Sequence, residues 1–295
     1  MMADIMAARL IVFPTLLLAW SLSTVASADS LSFELVAASA ETYAKPHDIV
    51  LSPNGKLLYV ADNDNDRIAV LDAQTLKELG IFAKGEVSAP HDVVFDAQGR
   101  LLVADTGNSR IAIYEVDGAR GRLVGSLQGR IRRPEGVAVH KDGRVFATGA
   151  ASDNLVVYRD GKITGEVDGF AAPHDVEIDL SGNIWVADAA NDRMVRLNDN
   201  LEITKILAGS TYDFNGPRYM DFDVTGRMYV ADKYTHSIKV IAPNGDLISV
   251  LGKAVSGKGE GVFNQPEGVE IRDNDIWFSD TYNDRVVRYR IRVIR

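Results

Sequence analysis

The sequence predicts an all-β fold: a six-bladed β-propeller with four antiparallel strands in each blade. Three observations support this prediction: a segment that occurs six times, a nearly constant spacing between its copies, and short strand-like runs within every copy. Successive copies start 44, 44, 39, 44 and 49 residues apart, and their first residues are Pro46, Pro90, Pro134, Pro173, Pro217 and Pro266. Repeats of this length with strand-like content are typical of propellers.

The second copy shows how one repeat would fold. A β-branched and aromatic run at 93–95 leads into a turn at 96–99, and further strands are predicted at 101–104, 110–114 and 123–127. Short runs joined by turns rich in Gly, Asp and Asn form an antiparallel meander. Such a sheet cannot bury both of its faces alone, so we expect the copies to stack around a common axis.

The two ends of the chain are expected to meet in the last blade. The sixth copy stops after its third strand, at 285–291, whereas residues 32–38 precede the first copy much as 77–83 precede the second. The N-terminal strand would therefore supply the missing fourth strand and remove an open sheet edge.

Residues 1–28 resemble an export signal. Arg9 precedes the apolar stretch at 10–20, and Ala26-Ser27-Ala28 forms a small-residue cleavage site. We expect cleavage, which would leave residues 29–295 as a single propeller domain in the periplasm or outside the cell, with no membrane attachment. An uncleaved N-terminal anchor is the alternative, although Pro14 interrupts the apolar stretch.

Composition excludes several classes of function. The chain has no cysteine, which rules out disulfides, thiolate metal sites, iron–sulfur clusters and cysteine nucleophiles. Its net charge of −9 disfavours nucleic acid as a partner, because the phosphates would be repelled.

The copies resemble the NHL repeat, which implies a six-bladed propeller. The resemblance covers residues 32–295 and rests on Pro-x-Gly/Asp-Val, on Val-Ala-Asp and on a following Asn-x-Arg. This last pattern occurs as Asp62/Asn65/Arg67, Asp105/Asn108/Arg110, Asp188/Asn191/Arg193 and Asp280/Asn283/Arg285. The third copy departs from it with Gly149, Ser152 and Asn154, and the fifth with Thr235 and Ser237 after Asp232. We interpret the set as structural, since Asp and Asn form side-chain turns and Arg pairs with carboxylates.

The residue after each proline is expected to lie at the mouth of the central channel, because the first strand of each blade lines that channel. Around the ring these residues are His47, His91, Glu135, His174, Arg218 and Glu267. Imidazoles and carboxylates are ligands of divalent transition metals, so His47, His91, His174, Glu135 and Glu267 are predicted to hold one ion, with zinc the expected metal. The alternative is a hydrogen-bonded, water-filled mouth in which Arg218 pairs with Glu267. The remaining histidines, His140 and His236, are expected to be ordinary polar surface residues.

A second, weaker resemblance is to the peptidyl-hydroxyglycine amidating lyases. His47, His91 and His174 each match the Pro-His segments of that family, but they fall on blades one, two and four rather than on alternate blades. The resemblance implies zinc, with Tyr282 or Tyr234 as the proton acceptor and Arg218 as the group that pairs with the substrate carboxylate.

Two functions therefore stay open. In the first, the protein is a binding module whose mouth and long loops, 207–216 and 252–265, take a peptide or protein. The aromatic residues available to such a face are Tyr212, Phe214, Tyr219, Tyr234, Phe263 and Tyr282. In the second, it is a metal-dependent enzyme acting on a small carboxylate-bearing substrate, similar to the amidating lyases or, with less support, to lactonases.

Overall fold

The computed structural model describes residues 30–294 and contains six four-stranded antiparallel sheets. The predicted fold class is therefore confirmed. The proposed export signal lies outside the described residues. Within residues 30–294, no helix is long and apolar enough to cross a bilayer.

The six sheets form a closed ring of blades. The first strand of each blade lies beside that of the next, and the first strand of the last blade returns to that of the first. These inner strands are β2 (Pro46–Leu51), β6 (Pro90–Phe95), β10 (Pro134–Val139), β14 (Val176–Ile178), β18 (Pro217–Phe222) and β22 (Val269–Arg272). The second strands are β3 (Leu57–Asp62), β7 (Arg100–Asp105), β11 (Val145–Gly149), β15 (Ile184–Asp188), β19 (Met228–Asp232) and β23 (Asp275–Asp280).

The outer half of each blade consists of a third strand and an edge strand. The third strands are β4 (Arg67–Asp72), β8 (Arg110–Asp117), β12 (Asn154–Arg159), β16 (Arg193–Leu197), β20 (Ser237–Ile241) and β24 (Arg285–Ile294). The edge strands are β1 (Ser30–Ala38), β5 (Glu78–Phe82), β9 (Arg120–Leu127), β13 (Lys162–Asp168), β17 (Ile203–Leu207) and β21 (Leu247–Leu251). The four strands predicted for the second copy are present, each extending to or slightly beyond its predicted bounds.

The N-terminal strand closes the ring as predicted. β1 pairs antiparallel with β24, from Ser30 opposite Ile294 to Ala38 opposite Val287. Leu31 and Phe33 of β1 pack against the apolar cluster between blades five and six. The last blade is therefore built from both ends of the chain.

The core lies between neighbouring blades. The cluster between blades one and two, for example, includes Tyr59 and Val70 from the first blade and Val103 and Tyr114 from the second. The alternation of strand side chains gives each sheet two apolar faces, and stacking removes both from water.

Inner-strand carboxylates link successive blades. Asp175 of blade four accepts the backbone N–H of Met220 in blade five at 2.8 Å, and Asp221 accepts that of Ile271 in blade six at 2.6 Å. Asp48 and Asp92 make the corresponding contacts from blades one and two. These hydrogen bonds fix the distance between adjacent inner strands at the axis.

Glycine replaces this aspartate in the third and sixth copies because the neighbouring backbone approaches too closely. A Cβ atom on Gly268 would lie 2.4 Å from the carbonyl oxygen of His47 and 2.6 Å from the Cα atom of Asp48. The same atom on Gly136 would lie 2.7 Å from the carbonyl oxygen of His174. The Pro-Glu-Gly and Pro-His-Asp forms of the repeat are therefore two ways of joining neighbouring blades.

The repeated Asp, Asn and Arg residues have a structural role. In blade two, Arg110 Nε donates to Asp105 at 2.6 Å, and Asp105 also accepts the backbone N–H of Ser88 in the preceding loop. Blades one, four and six repeat this arrangement. In the divergent fifth copy Lys239 takes the place of the arginine, with Nζ 2.6 Å from Asp232.

Candidate binding site at the channel mouth

The backbone of the channel mouth is fixed by contacts between successive blades. Short 3₁₀ turns follow the second strand in five blades, namely at Asn63–Asn65, Thr106–Asn108, Ala189–Asn191, Lys233–Thr235 and Thr281–Asn283. Thr106 donates to the carbonyl of Pro134 in the next blade, and Thr281 donates to that of Pro46. Asn63 makes the same contact with Pro90. The residue after each of these prolines is therefore held in a defined position.

The three predicted histidines lie together. Ring centroids are 4.2 Å apart for His47 and His91, 5.8 Å for His91 and His174, and 6.3 Å for His47 and His174. All three side chains are buried. His91 Nδ1 lies 2.9 Å from the carbonyl oxygen of Ala89 and 3.0 Å from Asn63 Nδ2, so contacts on this side hold the ring in place.

Two carboxylates bridge the histidines. Glu135 lies 3.3 Å from His174 Nδ1 and 3.8 Å from His91 Nε2. Glu267, which is fully buried, lies 3.5 Å from His174 Nε2 and 3.6 Å from His47 Nε2. The structure therefore brings all five predicted ligand residues into one cluster.

Lys233 is a member of this cluster that the sequence analysis missed. Its Nζ lies 2.6 Å from Glu267 Oε1. The expected alternative partner of Glu267 was Arg218, but no such ion pair occurs among the described residues. A signal did exist: the residue after the strand-end aspartate is Asn63, Thr106, Ala189 or Thr281 in other copies, and lysine in the fifth.

The side chain of Arg218 has a nitrogen atom that lacks a hydrogen-bond acceptor. Its Nε is buried and has no hydrogen-bond partner among residues 30–294. The guanidinium carbon lies 5.9 Å from the centroid of the Tyr234 ring, within cation–π distance.

Two of the expected aromatic residues are exposed at the mouth. Tyr234 is 48% exposed and Tyr282 41% exposed. Lys233 Nζ lies 5.6 Å from the first ring and 5.1 Å from the second, so the lysine sits between them.

Three of the other aromatic residues available to a binding face are buried, namely Tyr219, Phe263 and Phe214. Tyr219 reaches across the channel and donates to the carbonyl of Glu135, with its ring 5.0 Å from that of His174. Phe263 packs into the core between blades five and six.

The electrostatics of the cluster favour the neutral forms of His47 and His91 and the charged forms of Glu135 and Glu267. Burial lowers the pKa of His47 well below its ordinary value and also lowers the pKa of His91. Burial acts to raise the pKa of Glu267, but His47, His174 and Lys233 together hold it well below its usual range. Lys233 thus offsets the charge of Glu267, and the histidines, Arg218 and Arg133 lower the pKa of Glu135 against the effect of burial.

The two other histidines lie outside this cluster. The prediction that His140 is a surface residue was wrong: it is buried, with Nδ1 2.9 Å from Asp142 and its ring beside Phe146. His236 is partly exposed, and its Nδ1 accepts the backbone N–H of Gln265.

A second group of carboxylates lines the channel beneath the mouth. A small cavity there is bounded by Tyr219 and by six acidic residues, Asp48, Asp92, Asp175, Glu177, Asp221 and Glu270. Burial raises the pKa of Asp92 and of Asp221 to about 7 in each case. These acids were not recognised from the sequence, although four of the six are the aspartates of the inter-blade contacts.

The donor chemistry at the mouth suits a transition metal, but the side chains are not placed around one point. Three imidazoles and two carboxylates are present, and His47 Nδ1 has no hydrogen-bond partner. Among residues 30–294, however, no three His, Asp or Glu side chains are arranged so that they could hold an ion. Metal binding would therefore require rotation of these side chains.

Sequence comparison places the chain among proteins that share its repeat. It is 25% identical to human NHL repeat-containing protein 2 over 84% of this chain, and 25% identical to the human E3 ubiquitin-protein ligase NHLRC1 over 68%. The chain is thus similar in sequence to NHL repeat-containing proteins. It spans only 39% and 56% of the lengths of these two relatives.

Two further similarities are local. The family described as "Lactonase, 7-bladed beta-propeller" matches residues 19–141, whereas the structure described over residues 30–294 has six blades. Peptidyl-glycine alpha-amidating monooxygenase A of Xenopus laevis is 32% identical over 96 residues, which is 30% of this chain and 10% of that protein.

Solved structures confirm the architecture. The virginiamycin B lyase of Staphylococcus aureus superposes with a TM-score of 0.62 at 13% identity, covering 88% of this chain and 99% of that one. An auxiliary nutrient binding protein of Bacteroides ovatus gives 0.70 at 15% identity, covering 90% and 78%. At these identities the similarity concerns the fold alone.

Proposed function

We propose that the protein is a binding module that takes its ligand at the channel mouth. The observation that supports this most directly is the combination of exposed rings at Tyr234 and Tyr282 with the unpaired Arg218 beside them. Exposed tyrosine next to arginine is the composition of binding hot spots. The ligand is a peptide or protein segment, or a small molecule bearing a carboxylate.

A pair of matched variants tests this role. Residues 29–295 are screened against a peptide library, first as wild type, then with Tyr234→Ala and Tyr282→Ala together, and then with Leu180→Ala and Val224→Ala together. Leu180 and Val224 are exposed in turns at the other end of the channel. We expect the mouth variant to bind selected peptides at least about tenfold more weakly, and the control variant to bind like wild type. Equal binding by both variants would contradict the proposal.

We also propose that the mouth can hold one divalent transition metal, with zinc favoured. The residues that would hold it are His47, His91 and His174, with Glu135 and Glu267 as additional carboxylate ligands. A bound ion would supply a Lewis acid at the floor of the site.

A metal-dependent enzyme is the second candidate, favoured by the convergence of three histidines and by the local similarity to the amidating monooxygenase. In this case Arg218 would pair with the substrate carboxylate, and Tyr282 or Tyr234 would accept a proton. Peptides ending in hydroxyglycine are the first substrates to test, followed by simple lactones. Arg218→Ala should lower turnover by about a hundredfold. Peptide capture without any turnover would leave the binding role alone.

Export is proposed from residues 1–28. Protein recovered from the periplasm or the medium should begin at Asp29, which N-terminal sequencing would establish. Recovery only from the membrane fraction, with Met1 or Met2 retained, would instead favour an uncleaved anchor.

A further inference from the structure

We propose that a cavity between blades two and three binds a neutral aromatic molecule that carries a hydrogen-bond donor, such as a phenol. The cavity lies at the end of the propeller opposite the mouth, beside the turns that follow β6 and β10. The inference goes beyond the proposed binding role of the mouth and does not depend on it.

The first observation is an aromatic side chain that one copy of the repeat does not have. The third residue before the end of each second strand packs toward the next blade, and in five copies it is aromatic: Tyr59, Phe146, Trp185, Tyr229 and Trp277. In the second copy this residue is Leu102. Among the six interfaces between the blades of residues 30–294, the one between blades two and three is therefore the only one without this ring.

The next blade does not compensate for the smaller side chain. The ring of Tyr59 packs against that of Phe95 in the following blade, with centroids 5.2 Å apart. The ring of Trp185 lies 6.3 Å from that of Phe222 in the same relation. Blade three has Val139 at the position of these two phenylalanines. Both sides of the interface between blades two and three thus carry aliphatic residues at positions where other interfaces have rings.

The result is a large unfilled volume. The cavity between blades two and three measures about 670 Å³, whereas the corresponding cavity between blades four and five, which contains Trp185, measures about 150 Å³. Ile113, Val139 and Val145 line the larger cavity and stay only partly buried. Its volume is within the range of about 300–1,000 Å³ that is usual for small-molecule sites.

The cavity also contains an acceptor that another copy uses for its own ring. Asp223 of blade five accepts from Arg227 Nε at 2.6 Å and from the Tyr229 hydroxyl at 3.2 Å. Asp96 has the same position in blade two, accepts from Arg100 Nε at 2.7 Å and lines the cavity. A phenol in place of the missing ring would donate to Asp96 as Tyr229 donates to Asp223. Because Arg100 already offsets the charge of Asp96, a neutral ligand suits the site.

The experiment compares p-cresol, which corresponds to the side chain of tyrosine, with toluene, which has no hydroxyl. Each is titrated into residues 29–295 by calorimetry. We expect one equivalent of p-cresol to bind at least about tenfold more tightly than toluene, because its hydroxyl donates to a charged acceptor. Leu102→Tyr supplies the ring from within, so it should abolish p-cresol binding and raise the melting temperature. Leu79→Tyr, on the exposed face of β5, is the matched control and should bind p-cresol like wild type.

Nuclear Overhauser contacts in the wild-type protein give a test that does not depend on the folding of a variant. The p-cresol ring should contact the methyl groups of Leu102, Ile113 and Val139. Contacts confined to the mouth, or loss of p-cresol binding when Tyr234→Ala and Tyr282→Ala are combined, would overturn the inference.

Three further results would also overturn it: no binding of p-cresol at millimolar concentration, equal affinity for p-cresol and toluene, or unchanged p-cresol binding in Leu102→Tyr. None of these results concerns peptide binding at the mouth. The cavity inference and the proposed function can therefore fail independently of each other.

Discussion

At the residue scale, the mouth shows how one position of a repeat acquires different chemistry in each copy. The position after the proline is His, His, Glu, His, Arg and Glu around the ring, while the turns of the preceding blades hold the backbone in place. Burial favours the neutral form of His47, so one ring nitrogen keeps a lone pair available to a ligand. The side chains after the prolines therefore determine the chemistry of the site, while the backbone that carries them is held in place by the turns.

The metal proposal leads to a prediction about single histidines. Protein purified without chelator should contain about one equivalent of transition metal, and His47→Ala, His91→Ala and His174→Ala should each lose most of it. Affinity should fall only as the pH drops below the ordinary histidine range, because burial lowers the pKa of His47 and His91 and protons compete for the imidazole lone pairs only there. Elemental analysis checks both statements, with His140→Ala as the matched control. Full metal content in all three variants would exclude the site.

The sequence could place the five predicted ligand residues at the mouth but not their pairing. Their common repeat phase predicts that they converge, since every copy uses the same backbone. Whether Glu267 meets Arg218 or Lys233, which both belong to blade five, depends on how each side chain is directed toward blade six. That direction depends on the packing of the two blades, so the pair with Lys233 was not foreseen.

At the element scale, contacts between inner strands determine how closely blades approach. Aspartate side chains make this contact from blades one, two, four and five, and a bare backbone makes it at Gly136 and Gly268. The pattern was visible in five copies as a choice between Asp and Gly, whereas the fifth has Tyr219 at this position and makes the contact from Asp221. Its meaning depends on a distance between blades that are about 45 residues apart in sequence.

The close approach of the blade-one backbone to Gly268 predicts that Gly268→Ala is destabilising. The added Cβ would meet the backbone of His47 and Asp48, which cannot move without displacing β2. We expect a loss of about 1–3 kcal/mol in the free energy of unfolding, as for other overpacked sites. Gly125→Ala is the matched control, because its nearest neighbour would be Ile113 Cδ1 at 3.9 Å. Chemical denaturation measures the free energy of unfolding of both variants. A similar decrease in the two variants would refute the steric explanation.

At the scale of the whole molecule, all blades but the third contribute an acid to the channel beneath the mouth. Burial raises the pKa of Asp221 from its ordinary value near 4 to about 7. The folded protein therefore holds this proton more tightly than the unfolded chain does. The corresponding stabilisation is complete below pH 4 and is lost as the pH rises through about 7.

The direction of this pKa shift predicts how an uncharged replacement of Asp221 behaves. The melting temperature of Asp221→Asn, relative to wild type, should rise between about pH 4 and pH 7. In this range only the wild type acquires a buried charge at position 221. Asp160→Asn, in an exposed turn, serves as the control. The measurement is a melting series in pH for the three proteins. A constant difference between Asp221→Asn and wild type across this range would contradict the argument.

The closure of the ring leads to the last prediction. Deletion of residues 30–38 would remove β1, leaving the backbone of β24 unpaired along its length and exposing the apolar surface that Leu31 and Phe33 cover. At about 25 cal/mol for each Å² of apolar surface exposed, together with the lost strand pairing, stability should fall by several kcal/mol. The truncated protein should also associate through the open edge of β24. Thermal melting and size-exclusion chromatography, compared with residues 29–295, test both effects. A truncated protein that melts at the same temperature and stays monomeric would show that the ring is closed by the blades alone.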